Sequence, residues 1–569
     1  MFGIVFDKYN KMNERMTKRN ALTRLGNLLN LEKQEISSIY FFAIFSGLVQ
    51  LSLPLGVQTI VGLMLGTTMV TSIYILVIGV VVGVFMVGWL QISQMRVIEK
   101  IQQRLFTRFA FEFATVIPKL KLNQTDDYYL PEKANRFFDT VTVQKGLAKL
   151  LLDVPMAGIQ IGFGLILLAL YHPAFIMFGV ALVVILWLIL KATSRYGLET
   201  SLIESKYKYL VAGWLEEIAR IVIPLKYSKT NNINLERTDN YLVGYLKART
   251  KHFGVLLLQY KTLVFFKVAI TLTMLAVGSY LVINQQINIG EFIAAEIVIL
   301  TVIGAVEKLI GSLDNVYDVI TGLEKLATVT ELPTESSGSL KLADNANGLS
   351  ITLQNVSYGY IKEQPVLNSV NVEIPENSKI WITGNEGSGK STLLKVMAGC
   401  FDDYQGKLLY NNIPFGNYDI KSLRNQISLY LNNNDLFLGT VLENITLRNQ
   451  ETSPQEILEL ANKLGMEGFL NSFNRGFDTL IDPMGKKLTE STLKKIMMLR
   501  TFGGNRKLII LNEPFVGVDD YTKHQTLAYI NSLKNTTLLL VSNDTEVKVA
   551  CTHKLSLEKG MVSKLEKIN

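Results

Sequence analysis

The sequence predicts two parts, an all-α domain of six transmembrane helices followed by an α/β domain built on a phosphate-binding loop. Three observations predict this. Long apolar stretches occur as three pairs within the first 313 residues, the first two of them uncharged. The composition turns polar over residues 331–348. Beyond that point a strand-like run, SKIWITG, leads straight into GNEGSGKS.

The membrane half comes first. No charged residue occurs from Ile36 to Met95. At ~20 residues per crossing, this stretch holds two helices and a turn near Leu65–Thr68. A second stretch runs from Val154 to Leu190 and breaks at Tyr171-His172-Pro173. The third runs from about Lys261 to Leu313 and breaks at Asn284–Gly290. Helices follow from the lengths, since barrel strands need only ~10 alternating residues. A soluble core can hide one such run, but not three paired ones.

The chain is 49% hydrophobic with a net charge of +8. Its basic residues flank the apolar runs, so membrane orientation accounts for them. No basic-aromatic motif points to nucleic acid. Lys8, Lys11, Arg15, Lys18, Arg19, Arg24 and Lys33 precede the first span, and residues 96–149 and 191–261 are also rich in Lys and Arg. The three turns carry neither. The expected location is therefore the cell (inner) membrane, multi-pass, with both termini and the two long connections cytoplasmic. Those connections read as helices that leave the membrane and return. The first residues lack a signal peptide's apolar core and cleavage site, so the first span is expected to act as the insertion signal. Cys400 and Cys551 form no CxxC pair and read as ordinary cytoplasmic thiols.

Ionisable residues within spans are candidates for function. Folding the last hairpin about its turn places Lys267 opposite Glu307, an expected structural ion pair. Glu296 is the candidate for contact with a transported molecule.

Residues 1–330 are assigned to the membrane domain, 331–348 to a linker and 349–569 to the nucleotide domain. The loop Gly384-Asn385-Glu386-Gly387-Ser388-Gly389-Lys390-Ser391 fits GxxxxGKS, with the helix-forming run STLLKVMAG after it. A strand, a glycine-rich loop and a helix start are the context in which this motif binds nucleotide. Glycines let the backbone amides turn inward around phosphates. Lys390 reaches the β/γ-phosphates, and the Ser391 hydroxyl can ligate Mg²⁺. The fold class is that of a P-loop NTPase domain behind the six helices, with Thr392 continuing the loop into the helix.

The landmarks after this loop appear in the order of an ABC ATPase, and the whole chain resembles an ABC exporter half-transporter. By that resemblance Tyr360, in NVSYGY, is the aromatic residue that stacks on adenine. LRNQISLYLNNNDLFLGTVLENI (423–445) is similar to the Q-loop region, and LTEST (488–492) sits where LSGGQ belongs. KLIILNEP (507–514) takes the Walker B position, Asp519 in VGVDD the D-loop and LLLVSND (538–544) the H-loop. Glu513 matches the family's general base. Segments 126–136 and 212–226 lie where the family's coupling elements would be. The resemblance implies ATP and Mg²⁺ as cofactors, with Ser391 and Asn432 as metal ligands.

The departures from that pattern carry consequences. Asn432 replaces the Q-loop glutamine, Asn512 the Walker B aspartate and Asn543 the H-loop histidine. Thr489, Glu490, Ser491 and Thr492 replace all of the signature but its leucine. Asn512 removes a negative charge that helps hold Mg²⁺. Asn432 is one methylene shorter than glutamine. Asn543 lacks the imidazole that contacts the γ-phosphate. Ser491 adds a Cβ where a backbone would approach a phosphate. Glu490 puts a carboxylate at a helix start that would otherwise favour an anion. Slow ATP hydrolysis is the expected result.

The same resemblance implies a dimer with ATP sandwiched between chains. Faults lie on both sides of that sandwich, so pairing with an intact partner gains no intact site. The expectation is a homodimer, with a heterodimer as the alternative. The span-six region and its exit look like the transporters of type I protein secretion and peptide export, which work with a membrane-fusion adaptor. The other readings are a non-hydrolysing regulatory subunit and a drug or lipid exporter. Membrane lipid is the other expected partner, and nucleic acid is not expected.

Overall fold

A computed structural model describes residues 22–66, 71–122, 130–228, 232–342, 347–361, 363–431, 435–448 and 452–568. The chain divides into two compact units, residues 1–118 with 128–332, and residues 119–127 with 333–569.

The first unit is helical. Six segments are long and apolar enough to cross a membrane: Lys33–Leu65, Ser72–Lys119, Leu130–Tyr171, Ala174–Arg220, Ile233–Ile283 and Ile289–Thr330. Span one is two helices, α1 (Lys33–Gln50) and α2 (Ser52–Leu65). The break precedes Pro54, whose missing N–H is harmless in a first turn. Next come α3 (Ser72–Val116), α4 (Asp139–Tyr171), α5 (Ala174–Arg220) and α6 (Ile233–Ile283). Span six is α7 (Ile289–Gly311) followed by α8 (Leu313–Thr330).

The 51 residues of α6 span about 76 Å at 1.5 Å per residue. That is more than twice the ~30 Å of a bilayer's hydrocarbon. Helices α3 and α5 are nearly as long, so the two connections are helical extensions of the spans, as expected. The three breaks fall where the apolar runs place them: beyond Leu65, at His172-Pro173 and at 284–288. Residues 67–70 of the first turn lie outside the described residues. At the last turn Asn288 and Glu291 form a reciprocal capping box at the start of α7.

Helix α7 packs on α4, α2 and α6, and α5 lies along α6. Gly164 of α4 faces Val302, where a Cβ would come within 2.5 Å of the valine methyl. The expected pair is present, with Lys267 Nζ 2.5 Å from Glu307 Oε2. Of the segments matched to coupling elements, residues 130–136 are helical and 123–129 lie outside the described residues. Residues 212–226 comprise the end of α5 and a short helix, Val222–Lys226.

The second unit holds two main sheets. Its strands are β1 (Ile351–Tyr358), β2 (Leu367–Ile374), β3 (Lys379–Thr383), β4 (Gln405–Tyr410), β5 (Ile413–Pro414), β6 (Ile427–Tyr430), β7 (Gly439–Thr440), β8 (Leu480–Ile481), β9 (Leu508–Asn512), β10 (Thr537–Val541), β11 (His553–Glu558) and β12 (Met561–Lys567). Strands β2-β1-β4-β5 form an antiparallel sheet, and β12-β11-β3-β10-β9-β6 a six-stranded one. In the latter, β11, β3, β10, β9 and β6 run parallel. Its central strand β10 reads TLLLV and is buried throughout. Strands covered on both faces need such continuous apolar runs rather than alternation.

Residues 333–342, within the segment read as a linker, are strapped to this unit. The Gly338 N–H donates to the Tyr418 carbonyl at 2.8 Å, and Arg424 grips Glu335 through two bonds of 2.7 Å. Residues 119–122 join the same strap: Leu120 bridges Thr334, and Lys121 pairs with Asp402 at 2.8 Å. Residues 343–346 lie outside the described residues.

Candidate functional site

Strand β3 delivers the chain to the glycine-rich loop at the carboxyl edge of the parallel sheet, where α/β folds place ligands. Gly384 has φ +157°, and a Cβ there would lie 2.3 Å from the Leu557 carbonyl oxygen. Gly389 has φ +97° and opens helix α9 (Lys390–Met397). The loop thereby turns its amides and the helix start toward one point, a setting for phosphate oxygens. Lys390 Nζ arches back over the loop, donating to the carbonyls of Gly384 at 2.6 Å and Asn385 at 2.9 Å. Ser388 Oγ is buried and has no hydrogen-bond partner among the described residues. An orphaned hydroxyl inside the loop suits a bound phosphate, so these residues fit ATP. Glu386 and Gly387 form the exposed crest of the loop.

Strand β9 brings Asn512 beside the loop. Ser391 Oγ lies 3.4 Å from Asn512 Oδ1 and 3.3 Å from Asn512 Nδ2. This pair is neutral, and a hard dication prefers charged oxygens. Asn432 falls outside the described residues. Ser391 could hold Mg²⁺ alongside the nucleotide's own phosphates, with little help from Asn512.

Glu513 follows directly and has φ +48°, an uncommon conformation for a residue with a side chain. Its N–H donates to the Val541 carbonyl at 2.9 Å, anchoring it to β10. Burial pushes its carboxyl above the usual range, and the backbone N–H of Asn543 and the charge of Lys390 only partly offset this. A raised carboxyl beside the phosphate loop has the character of a general base. Asn543 thus serves Glu513 through its backbone, while the residue itself is exposed. Because the folded-state value is raised, ionising Glu513 costs stability above the ordinary carboxylate range. The cost vanishes below it. Glu513→Gln should therefore raise the melting temperature slightly at pH 7.5, the gain being reduced by solvent screening. The gain should fade below about pH 4, as the glutamate becomes protonated in both states. Thermal unfolding at both pH values checks this, and a gain that grows on acidification would contradict it.

An aromatic wall flanks the loop. Tyr360 is 45% exposed and stands edge-on to Tyr358 at 5.5 Å and Phe401 at 5.8 Å. Its hydroxyl lies 3.4 Å from Thr392 Oγ1, and Lys395 Nζ sits 5.9 Å from its ring centroid. Such a surface suits stacking by a purine.

The residues at the signature position form a second cluster. Thr489 caps helix α10 (Glu490–Phe502), accepting from the Thr492 N–H at 3.2 Å. Glu490 begins the helix, with Ser491 in its first turn. The Glu490 carboxylate at this helix start has a cationic partner. Lys494, one turn on, grips Glu490 at 2.7 Å and holds its carboxyl below the usual range. The same ammonium donates to the Val516 carbonyl. Asp519 caps helix α11 (Asp520–Ser532) and pairs with Lys495 at 3.3 Å. The structure thus gathers Lys390, Ser391, Asn512, Glu513 and Asn543 at the phosphate loop, and ties Thr489, Glu490 and Ser491 to Asp519 through α10.

Sequence reasoning missed three contributors: Phe401, Lys494 and Lys495. The spacing of Glu490 and Lys494 on one helix was a readable signal. Phe401 reaches Tyr360 only through the fold.

Comparison with known proteins places this geometry. Residues 367–516 match the ABC transporter family model. The alpha-hemolysin translocation ATP-binding protein HlyB of Escherichia coli is 25% identical over 327 residues, 57% of this chain and 46% of that protein. The lactococcin-G-processing and transport ATP-binding protein LagD of Lactococcus lactis is 22% identical over 350 residues, 61% of this chain and 50% of that protein. The chain thus spans about half the length of the curated relatives it matches. A bacterial Atm1-family ABC exporter solved with ATP bound shares the fold, with a TM-score of 0.83 at 17% identity over 94% of this chain and 95% of that one. The chain therefore carries an ABC transporter domain behind a six-helix membrane region, in the fold of an ABC exporter.

Proposed function

We propose that this chain is an exporter subunit that binds ATP well, hydrolyses it slowly and moves a peptide or protein out of the cytoplasm. One observation carries the slow-turnover reading. An intact phosphate loop with Lys390, Ser388 and Ser391 stands beside a neutral Asn512 and an Asn543 that offers Glu513 only its backbone. The site keeps its means of holding triphosphate and its candidate base, but lacks a charged metal ligand on β9. Similarity to HlyB and LagD supports a peptide or protein cargo. The test is the basal ATPase rate of the purified protein. Turnover at the ~1–10² s⁻¹ of an ordinary enzyme would end this reading. A rate that Glu513→Gln leaves untouched would favour the regulatory, non-hydrolysing alternative.

The assignments of residues 1–330 to export, 331–348 to a linker and 349–569 to nucleotide binding belong to this proposal. So do Asn432 as a metal-site residue, a membrane-fusion adaptor as partner and the inner membrane as location. The Lys/Arg asymmetry puts the termini and the ATP-binding domain in the cytoplasm. On a background with Cys400 and Cys551 replaced by serine, single cysteines at His172 and Gln286 should label from outside, and one at Ser228 should not. The reverse pattern overturns the orientation. Thr67 and Asn123, equally informative by sequence, lie outside the described residues.

The active unit is proposed as a homodimer, because the altered residues leave no intact site for a partner to complete. Tagged and untagged copies expressed together should co-purify. Recovery of the tagged chain only with a different ABC subunit would refute this.

A further inference from the structure

Within the apolar segments Ile36–Met95, Val154–Leu190 and Val268–Val306 the sequence holds just two charged residues, Glu291 and Glu296. Glu291 has a structural role, because its carboxylate accepts from the Asn288 N–H at 2.8 Å in the capping box. Deeper in the hairpin, Glu307 is neutralised by Lys267. Glu296 has no such explanation. It is half-buried and makes no hydrogen bond or ion pair among the described residues.

Its position is specific. Seven residues into α7, it lies about 10 Å below the helix start. It shares a stripe with Leu300, which is 58% exposed, and with Gly304, beside which a Cβ would meet open space. The opposite stripe, Ala295, Val298, Ile299 and Val302, is buried against neighbouring helices. A carboxylate facing acyl chains costs up to about 2.5–3.5 kcal/mol at a helix centre, so a water-filled pathway is the cheaper surrounding. A second copy of this chain cannot neutralise it, since no span offers Lys or Arg at that depth. Lipid amines sit at the headgroup level, too far out to reach it.

We propose that Glu296 is the recognition carboxylate for a cationic group on the transported molecule, a protonated amine or guanidinium passing along the open stripe of α7. This rests on the export reading, but it is tested without nucleotide, so failure here leaves the ATP-site reading standing.

The full chain in phosphatidylcholine nanodiscs is titrated with two cationic probes, tetraphenylphosphonium and a hydrophobic nonapeptide bearing one lysine. Tetraphenylborate serves as the anion of matching shape. Wild type should bind a cation saturably and in preference to the borate. Glu296→Gln should weaken that binding about tenfold or more, the worth of a charge-assisted contact. Glu296→Asp should keep most of it, which separates lost charge from a damaged fold. Lys267→Met with Glu307→Gln should leave it within about threefold, since that pair is structural. Glu296-dependent binding of the peptide alone assigns the cation to a peptide cargo, and of tetraphenylphosphonium alone to a small organic cation. Four outcomes overturn the proposal: no saturable cation binding, preference for the borate, equal binding by wild type and Glu296→Gln, or an equal loss in the Lys267/Glu307 variant.

Discussion

Lys390→Ala is expected to weaken ATP binding by ~10–10²-fold, because it removes the ammonium poised over the phosphate loop and with it a charge-assisted bond to the β/γ-phosphates. The lysine already points at the loop, held by the carbonyls of Gly384 and Asn385 at 2.6 and 2.9 Å. Exchanging those neutral acceptors for phosphate oxygens strengthens both contacts. The loop's shape depends on Gly384 and Gly389 rather than on this side chain, so the variant should fold and lose affinity alone. An ATP-dependent thermal shift measures the effect. Wild type without such a shift, or a variant with the same one, would refute nucleotide binding at this loop.

Restoring the altered residues is expected to produce the larger change. A variant carrying Asn432→Gln, Asn512→Asp, Asn543→His, Thr489→Ser, Glu490→Gly, Ser491→Gly and Thr492→Gln should hydrolyse ATP at least ~10²-fold faster than wild type. Single contacts that act only in the transition state are each worth about that much, without adding fully. Asn512→Asp places a charge beside Ser391 where a neutral amide now lies 3.3 Å away. Asn543→His adds an imidazole next to the Glu513 carboxylate while keeping the backbone N–H that Glu513 uses. Removing Glu490 also frees Lys494, which keeps its bond to the Val516 carbonyl, so α10 stays moored. Full hydrolysis by wild type, or no gain on restoration, would show that these positions do not limit turnover.

Much of the fold was legible because apolar run lengths and turn residues are local signals. The apolar runs mark the six spans and their turns, and folding the last hairpin about its turn sets Lys267 opposite Glu307. The GxxxxGKS spacing gave the loop, since its glycines answer a purely local demand for unusual backbone angles. What escaped was non-local. The break at Leu51 depends on how span one packs as well as on Pro54. Residues 331–348 look like a linker in composition, yet Glu335 meets Arg424 across 89 positions. Phe401 stacks on Tyr358 at 4.5 Å, and no sequence pattern announces that wall. Sequence gave Glu490 its charge but not the compensation by Lys494, which also depends on the Val516 carbonyl lying close by.

The distribution of charge among the three hairpins bears on how the chain is made. The apolar segments Ile36–Met95 and Val154–Leu190, with their tight turns, hold no charged residue at all, so each can enter a bilayer as a helical hairpin without dragging a formal charge through hydrocarbon. The third must carry Glu291 and Glu296 to the far side, at about 2.5–3.5 kcal/mol each if ionised near the bilayer centre. Insertion of the third hairpin is therefore expected to be costlier than that of the first two. Chains truncated after residue 230 should become protease-protected in membranes as readily as the full chain, whereas protection of residues 261–313 should improve when Glu291 and Glu296 are both changed to glutamine.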